Sequence, residues 1–67
     1  MRDPNRLYNF YGEMVRLHMT YMPDIRAGQL MYNFTTWLAN KKQIDIFFPE
    51  EDELIKLLKE YMGEKNE

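Results

Sequence analysis

Apolar positions fall into three stretches of helical period, separated by breaks that each contain a proline. Leu7, Phe10, Tyr11, Met14, Val15, His18 and Met22 recur at three- and four-residue spacing. This predicts a first helix over 4–21 with one broad apolar face. Ala27, Leu30, Met31, Phe34, Trp37 and Leu38 keep the same period without a gap and predict a second helix over 25–39. Leu54, Ile55, Leu57, Leu58, Tyr61 and Met62 predict a third over 50–62. The breaks suit helix starts and stops. Asp3-Pro4 places a capping aspartate before a proline at the first helical position, Pro23-Asp24 a proline before a cap, and Pro49 precedes the acidic run 50–53. Gly63 reads as a C-terminal stop. The acids of the third helix lie at its start and Lys56 and Lys59 later, as the helix dipole prefers.

Between the second and third helices the period changes. Asn40 ends the second helix, and Ile44, Ile46 and Phe48 alternate with Asp45 and Phe47, the two-residue repeat of an extended segment. A single strand makes no sheet, so this segment either crosses the helices as a connection or pairs with its copy in another subunit. The expected fold is mainly α: a small three-helix domain with a short extended segment before the last helix. Residues 1–67 form one domain, with 63–67 as a frayed polar tail.

Composition adds a constraint. At 67 residues the chain buries only roughly 60% of its unfolded surface, which leaves a narrow margin of stability. There is no cysteine and only one histidine, so neither disulfides nor a structural zinc site supply the difference. An aromatic content of 15% favours aromatic packing and self-association, and a homo-oligomer is expected. No apolar run approaches the about 18 residues of a membrane span, and residues 1–13 lack the apolar stretch of a signal peptide, so a cytoplasmic protein is expected. Residues 1–49 hold six basic and four acidic groups and residues 50–67 three and seven, so the two parts carry +2 and −4. A nucleic-acid-binding domain usually carries a denser basic stripe, so nucleic acid is disfavoured as a partner.

Candidate chemistry concentrates in PDIRAGQL, residues 23–30. Asp24 is placed to cap the second helix, leaving neighbouring free N–H groups beside the Arg26 charge, an arrangement suited to an anion. Arg26, Gln29 and Asn33 fall at i, i+3 and i+7 and form a polar line beside the apolar stripe. Two readings follow. In one, Arg26 grips a phosphate while Gln29 and Asn33 read a base or sugar. In the other, Arg26 pairs with Asp45 or the acids of the third helix, and the two amides satisfy backbone of the extended segment. Gly28 in the first turn of its helix costs up to about 1 kcal/mol relative to alanine, which suggests close approach of a helix or ligand; Gly12 raises the same question. Tyr8, Tyr11, Tyr21, Tyr32 and Trp37 are either stacking faces or core and subunit interface, and Tyr32 stands out because it lies off the main stripe. His18 has no serine or cysteine to activate and reads as a core or interface residue. Glu50, Glu51, Asp52 and Glu53 point in different directions on a helix, so they read as a solvated helix start rather than a cation site.

PDIRAGQL with Asn33, followed by DIFFPEEDEL over 45–54, resembles a group of small bacterial and phage proteins. Its pattern is proline, aspartate, hydrophobic, arginine, any residue, glycine, glutamine and leucine, then an aspartate, two large apolar residues and an acidic helix start. The resemblance covers residues 20–62. Phe48 stands where the group more often has tyrosine, and Pro49 where it has an aliphatic residue. The group brings no activity with it. No catalytic constellation is recognisable, so the expectation is a non-enzymatic binding or inhibitory protein of phage or mobile-element type. It would need no cofactor or metal and would either occupy a host protein or, as a homo-oligomer, sequester a small anionic nucleotide. Asp24, Arg26, Gly28, Gln29, Tyr32 and Asn33 are the candidate binding residues. A structural or housekeeping interaction module is a third possibility.

Overall fold

A computed structural model describes residues 2–64. Pro4 enters the first helix with φ −65°, and the Asp3 carboxylate accepts the Asn5 N–H at 3.0 Å, so the aspartate–proline pair starts α1 (Asn5–Tyr21) as expected. The second helix, α2 (Ala27–Trp37), starts two residues later than its apolar period predicts. It does not end at Asn40. One turn of π-helix over Leu38–Lys42 prolongs it, and Gln43 stops it in the left-handed conformation at φ 57°. The Leu38 carbonyl there accepts the N–H groups of both Gln43 and Ile44. The third helix, α3 (Glu51–Met62), is closed by Gly63 at φ 83°. The Gly63 and Glu64 N–H groups return to the carbonyls of Glu60 and Lys59, which satisfies the free helix end.

α1 and α3 run parallel, as their cross-links show. Arg2 pairs with Glu50 at 2.7 Å, Arg6 with Glu51 at 2.8 Å, Glu13 with Lys59 at 3.6 Å and Arg16 with Glu64 at 2.8 Å, so both helices ascend together. Side-by-side parallel helices align their dipoles unfavourably, and these pairs oppose that cost. α2 packs on α3 through aromatic rings: Tyr61 lies 5.7 Å from Phe34 and 5.3 Å from Trp37, centroid to centroid. Lys42, carried round by the π-turn, sits 5.8 Å from the Trp37 ring centre and pairs with Glu60.

Leu17, Phe34, Leu38, Leu57 and Leu58 form the buried centre, and Leu30 is buried as well. This modifies the expected face of α1. Leu17, outside the predicted stripe, is fully buried, whereas Tyr11 and Val15 are exposed. The apolar arc of α1 is too wide for one neighbouring helix to cover, so α3 takes one side of it and leaves the other.

Residues 43–50 hold no strand. Ile44 and Ile46 pack against the core as their alternation predicts, but Phe48 does not, because the chain turns at Asp45. The Asp45 carboxylate accepts the Phe47 N–H at 2.9 Å and its carbonyl the Phe48 N–H at 3.1 Å. An aspartate that satisfies its own following backbone favours a turn over an extended run. Gly63 caps α3, as its reading as a stop predicts, whereas Glu64 of the polar tail is held by Arg16 and by the Tyr21 hydroxyl at 2.8 Å. Residues 65–67 of the expected frayed tail lie outside the described residues.

Candidate binding site

At the start of α2 the backbone of Arg26 is extended, φ −70° and ψ 151°, and its N–H donates to the Gln29 side-chain oxygen at 3.0 Å. This is one half of a capping box. A guanidinium has no acceptor, so Arg26 cannot return the bond, and the helix start is held from within by Gln29. The expected cap by Asp24 is not formed. Asp24 lies in the exposed turn ahead of Arg26, two residues short of the N-cap position.

Ile25, Gly28, Gln29, Tyr32 and Asn33 line a shallow, open concavity of about 380 Å³ on the outer side of this first turn. Four of the six sequence-predicted residues therefore meet. Arg26 and Asp24 do not join the lining, so the positive charge stands beside the hollow instead of inside it. A Cβ added at Gly28 or at Gly12 would meet nothing within 4 Å, so no described part of this chain makes the close approach that either glycine suggests. The absent Gly28 side chain itself leaves room for the hollow.

The alternative bonding network is not formed either. Among the described residues Arg26 has no ion pair, Asp45 serves the turn at Phe47, and Gln29 serves the Arg26 backbone. His18 has a structural role: its Nε2 lies 2.7 Å from the Ile25 carbonyl and donates to it, tying α1 to the turn that leads into α2. Trp37 belongs to the core edge, and Tyr21 is engaged by Glu64.

The turn after α2 supplies what the sequence reading did not single out. Phe47 and Phe48 are 83% and 74% exposed and meet edge to face at 5.3 Å, presented outward by the Asp45 turn. Adjacent exposed phenylalanines are the sort of large apolar surface that a monomer seldom leaves uncovered without a use. The signal was present in sequence as two aromatics between an Asx-turn residue and a proline, but alternation assigned Phe48 inward. A second uncovered surface, on α1, comprises Tyr8, Tyr11, Val15 and Met19.

The charged groups are mostly committed. The groove of about 650 Å³ between α1 and α3 is lined by Arg6, Asn9, Glu13, Glu51 and Lys59 among others, and four of these are already in ion pairs. Hydrogen bonding from Arg16 holds the Glu13 carboxyl below the usual carboxylate value, and Arg6 does the same for Glu51. Glu64 is lowered by Arg16 and Tyr21, and its carboxylate raises the Tyr21 phenol in return. The acidic start of α3 is thus partly paired with the arginines of α1 rather than wholly solvated.

Neither a family model, nor a curated protein, nor a solved structure matches the chain.

Proposed function

We propose that this chain is a non-enzymatic binding protein that acts by occupying the surface of a protein partner. The observation that carries the reading is the Phe47–Phe48 pair, fixed outward by the Asp45 turn with most of both rings in solvent. Aromatic side chains have few rotatable bonds, so they lose little entropy on binding and anchor interfaces efficiently. A phage or mobile-element setting is what the resemblance of residues 20–62 implies.

A second reading rests on the hollow over Gly28. Gln29, Tyr32 and Asn33 line it and Arg26 stands next to it, so it offers amides, a ring and a nearby cation to a small anionic nucleotide. The protein reading is preferred because the charge lies outside the hollow.

One experiment separates the two. The full chain and its Phe47→Ser/Phe48→Ser and Arg26→Ala variants are affinity-purified from the same host and compared by proteomics and by native mass spectrometry with a nucleotide mixture. A protein retained by the parent and by Arg26→Ala, but lost from the double variant, supports surface occupancy. A nucleotide mass adduct lost only with Arg26→Ala supports sequestration instead.

A further inference from the structure

The second uncovered surface has features that a partner of any other kind would not require. Tyr8, Tyr11, Gly12, Val15 and Met19 occur at i, i+3, i+4, i+7 and i+11, so they form one continuous stripe along α1, on the side that α3 leaves bare. No charge interrupts it. Tyr8 is 84%, Tyr11 58%, Val15 57% and Met19 70% exposed. Gly12 lies within the stripe, and a Cβ there would meet nothing within 4 Å, so the helix backbone is open to close approach from outside.

We propose that this stripe is the seam of a two-fold homodimer, in which α1 of a second copy lies antiparallel across it near Gly12. Three observations select this occupant. First, the core is thin: Leu17, Leu30, Phe34, Leu38, Leu57 and Leu58 are its buried hydrophobic residues, and the chain has no cysteine for disulfides. Second, the four large side chains present on the order of 500 Å² of surface, about a tenth of the 5321 Å² total, and doubling this across a two-fold axis approaches the smallest specific interfaces. Third, the stripe is complementary to its own reverse. Antiparallel packing sets Tyr8 against Met19 and Tyr11 against Val15, and each pairing occurs twice, as an isologous contact demands. Thioether against aromatic ring is a favourable match. Opposed dipoles also favour this direction over the parallel one. The seam uses neither the Phe47–Phe48 turn nor the Gly28 hollow, so the inference goes beyond the proposed function and stands or falls separately from it.

Sedimentation equilibrium of the full chain over a concentration series provides the test, with circular dichroism to confirm folding. The parent should reach twice the 8.2 kDa chain mass. Val15→Glu and Gly12→Leu should each weaken the dimer at least tenfold while keeping the helical spectrum, because neither site is packed within the monomer. Because the chain has no cysteine, introduced thiols report orientation directly. Tyr8→Cys mixed with Met19→Cys should form a disulfide on oxidation, whereas Tyr8→Cys alone should not, its two copies lying about 16 Å apart along the seam. A monomeric parent, a dimer unaffected by both folded variants, a dimer lost only in Phe47→Ser/Phe48→Ser, or efficient cross-linking of Tyr8→Cys to itself would overturn the proposal.

Discussion

Replacing Gly28 by alanine tests the description of the α2 start at a single atom. Gly28 is the second residue of the helix, its φ is negative, and an added methyl would meet nothing within 4 Å. Alanine therefore gains the helix preference without a steric penalty, about 0.5–1 kcal/mol, part of it through lower entropy of the unfolded chain. For a domain of this size that amounts to a rise in Tm of roughly 2–8 °C. Thermal denaturation followed by far-UV circular dichroism measures it. Gly63→Ala is the internal control with the opposite sign, because φ 83° is left-handed and alanine pays to adopt it. A lower Tm for Gly28→Ala, with Gly63→Ala falling as expected, would mean that the first turn of α2 is not open but covered by something that tolerates no methyl. The same substitution narrows the hollow, so a nucleotide seated there should lose affinity while the fold gains stability.

Other expectations follow from the same contacts. Gln43→Gly relieves the left-handed strain that ends the π-turn and should add about 0.5–1 kcal/mol of stability, read as a higher urea midpoint with the slope unchanged; a fall would mean that the Gln43 side chain holds the turn by contacts of its own. Phe34→Ala removes the ring that joins α2 to Tyr61 and the leucine core, at a cost of about 3–5 kcal/mol, enough to leave so small a domain largely unfolded by circular dichroism; a cooperative melt near the parental Tm would contradict that centre. Glu13, Glu51 and Glu64 are lowered from the ordinary 4.5, so the folded state binds fewer protons than the unfolded one. Their stabilisation is complete above that value and is lost as pH falls through the folded pKa values. Tm should therefore hold from neutrality to about pH 5 and then drop, less steeply in high salt, and a flat profile to about pH 3 would remove the role given to the α1–α3 pairs.

The three helices were legible because each shows the 3.6 period over at least three turns, and the first and third keep the start signals read for them, whereas α2 starts through Gln29 and Arg26 instead of an Asp24 cap. Asp3 caps α1 as read, and Gly63 closes α3 as read. What escaped was relational. Leu17 and Val15 are both apolar residues of one helix, and only the position of α3 decides that the first is buried and the second bare. The parallel course of α1 and α3, which puts Arg2 and Arg6 beside Glu50 and Glu51, follows from the path of the chain between them and leaves no trace in either helix alone.

The candidate site shows the same division. Gln29 and Asp45, both prominent in the sequence pattern, each accept a backbone N–H close by in sequence, at Arg26 and Phe47. A residue needed for a turn or helix start recurs in a pattern as readily as a residue needed for a ligand, and sequence does not separate these causes. The bonds do. With Gln29 engaged in starting α2 and Asp45 in shaping the turn, the exposed members of the pattern left without such a local duty include Arg26, Phe47 and Phe48 as well as Asp24 and Asn33. A cation and two aromatic rings on the outside of a small helical frame are groups that interfaces favour at their centres. That is why surface occupancy, rather than an enclosed pocket, is the function proposed for this arrangement.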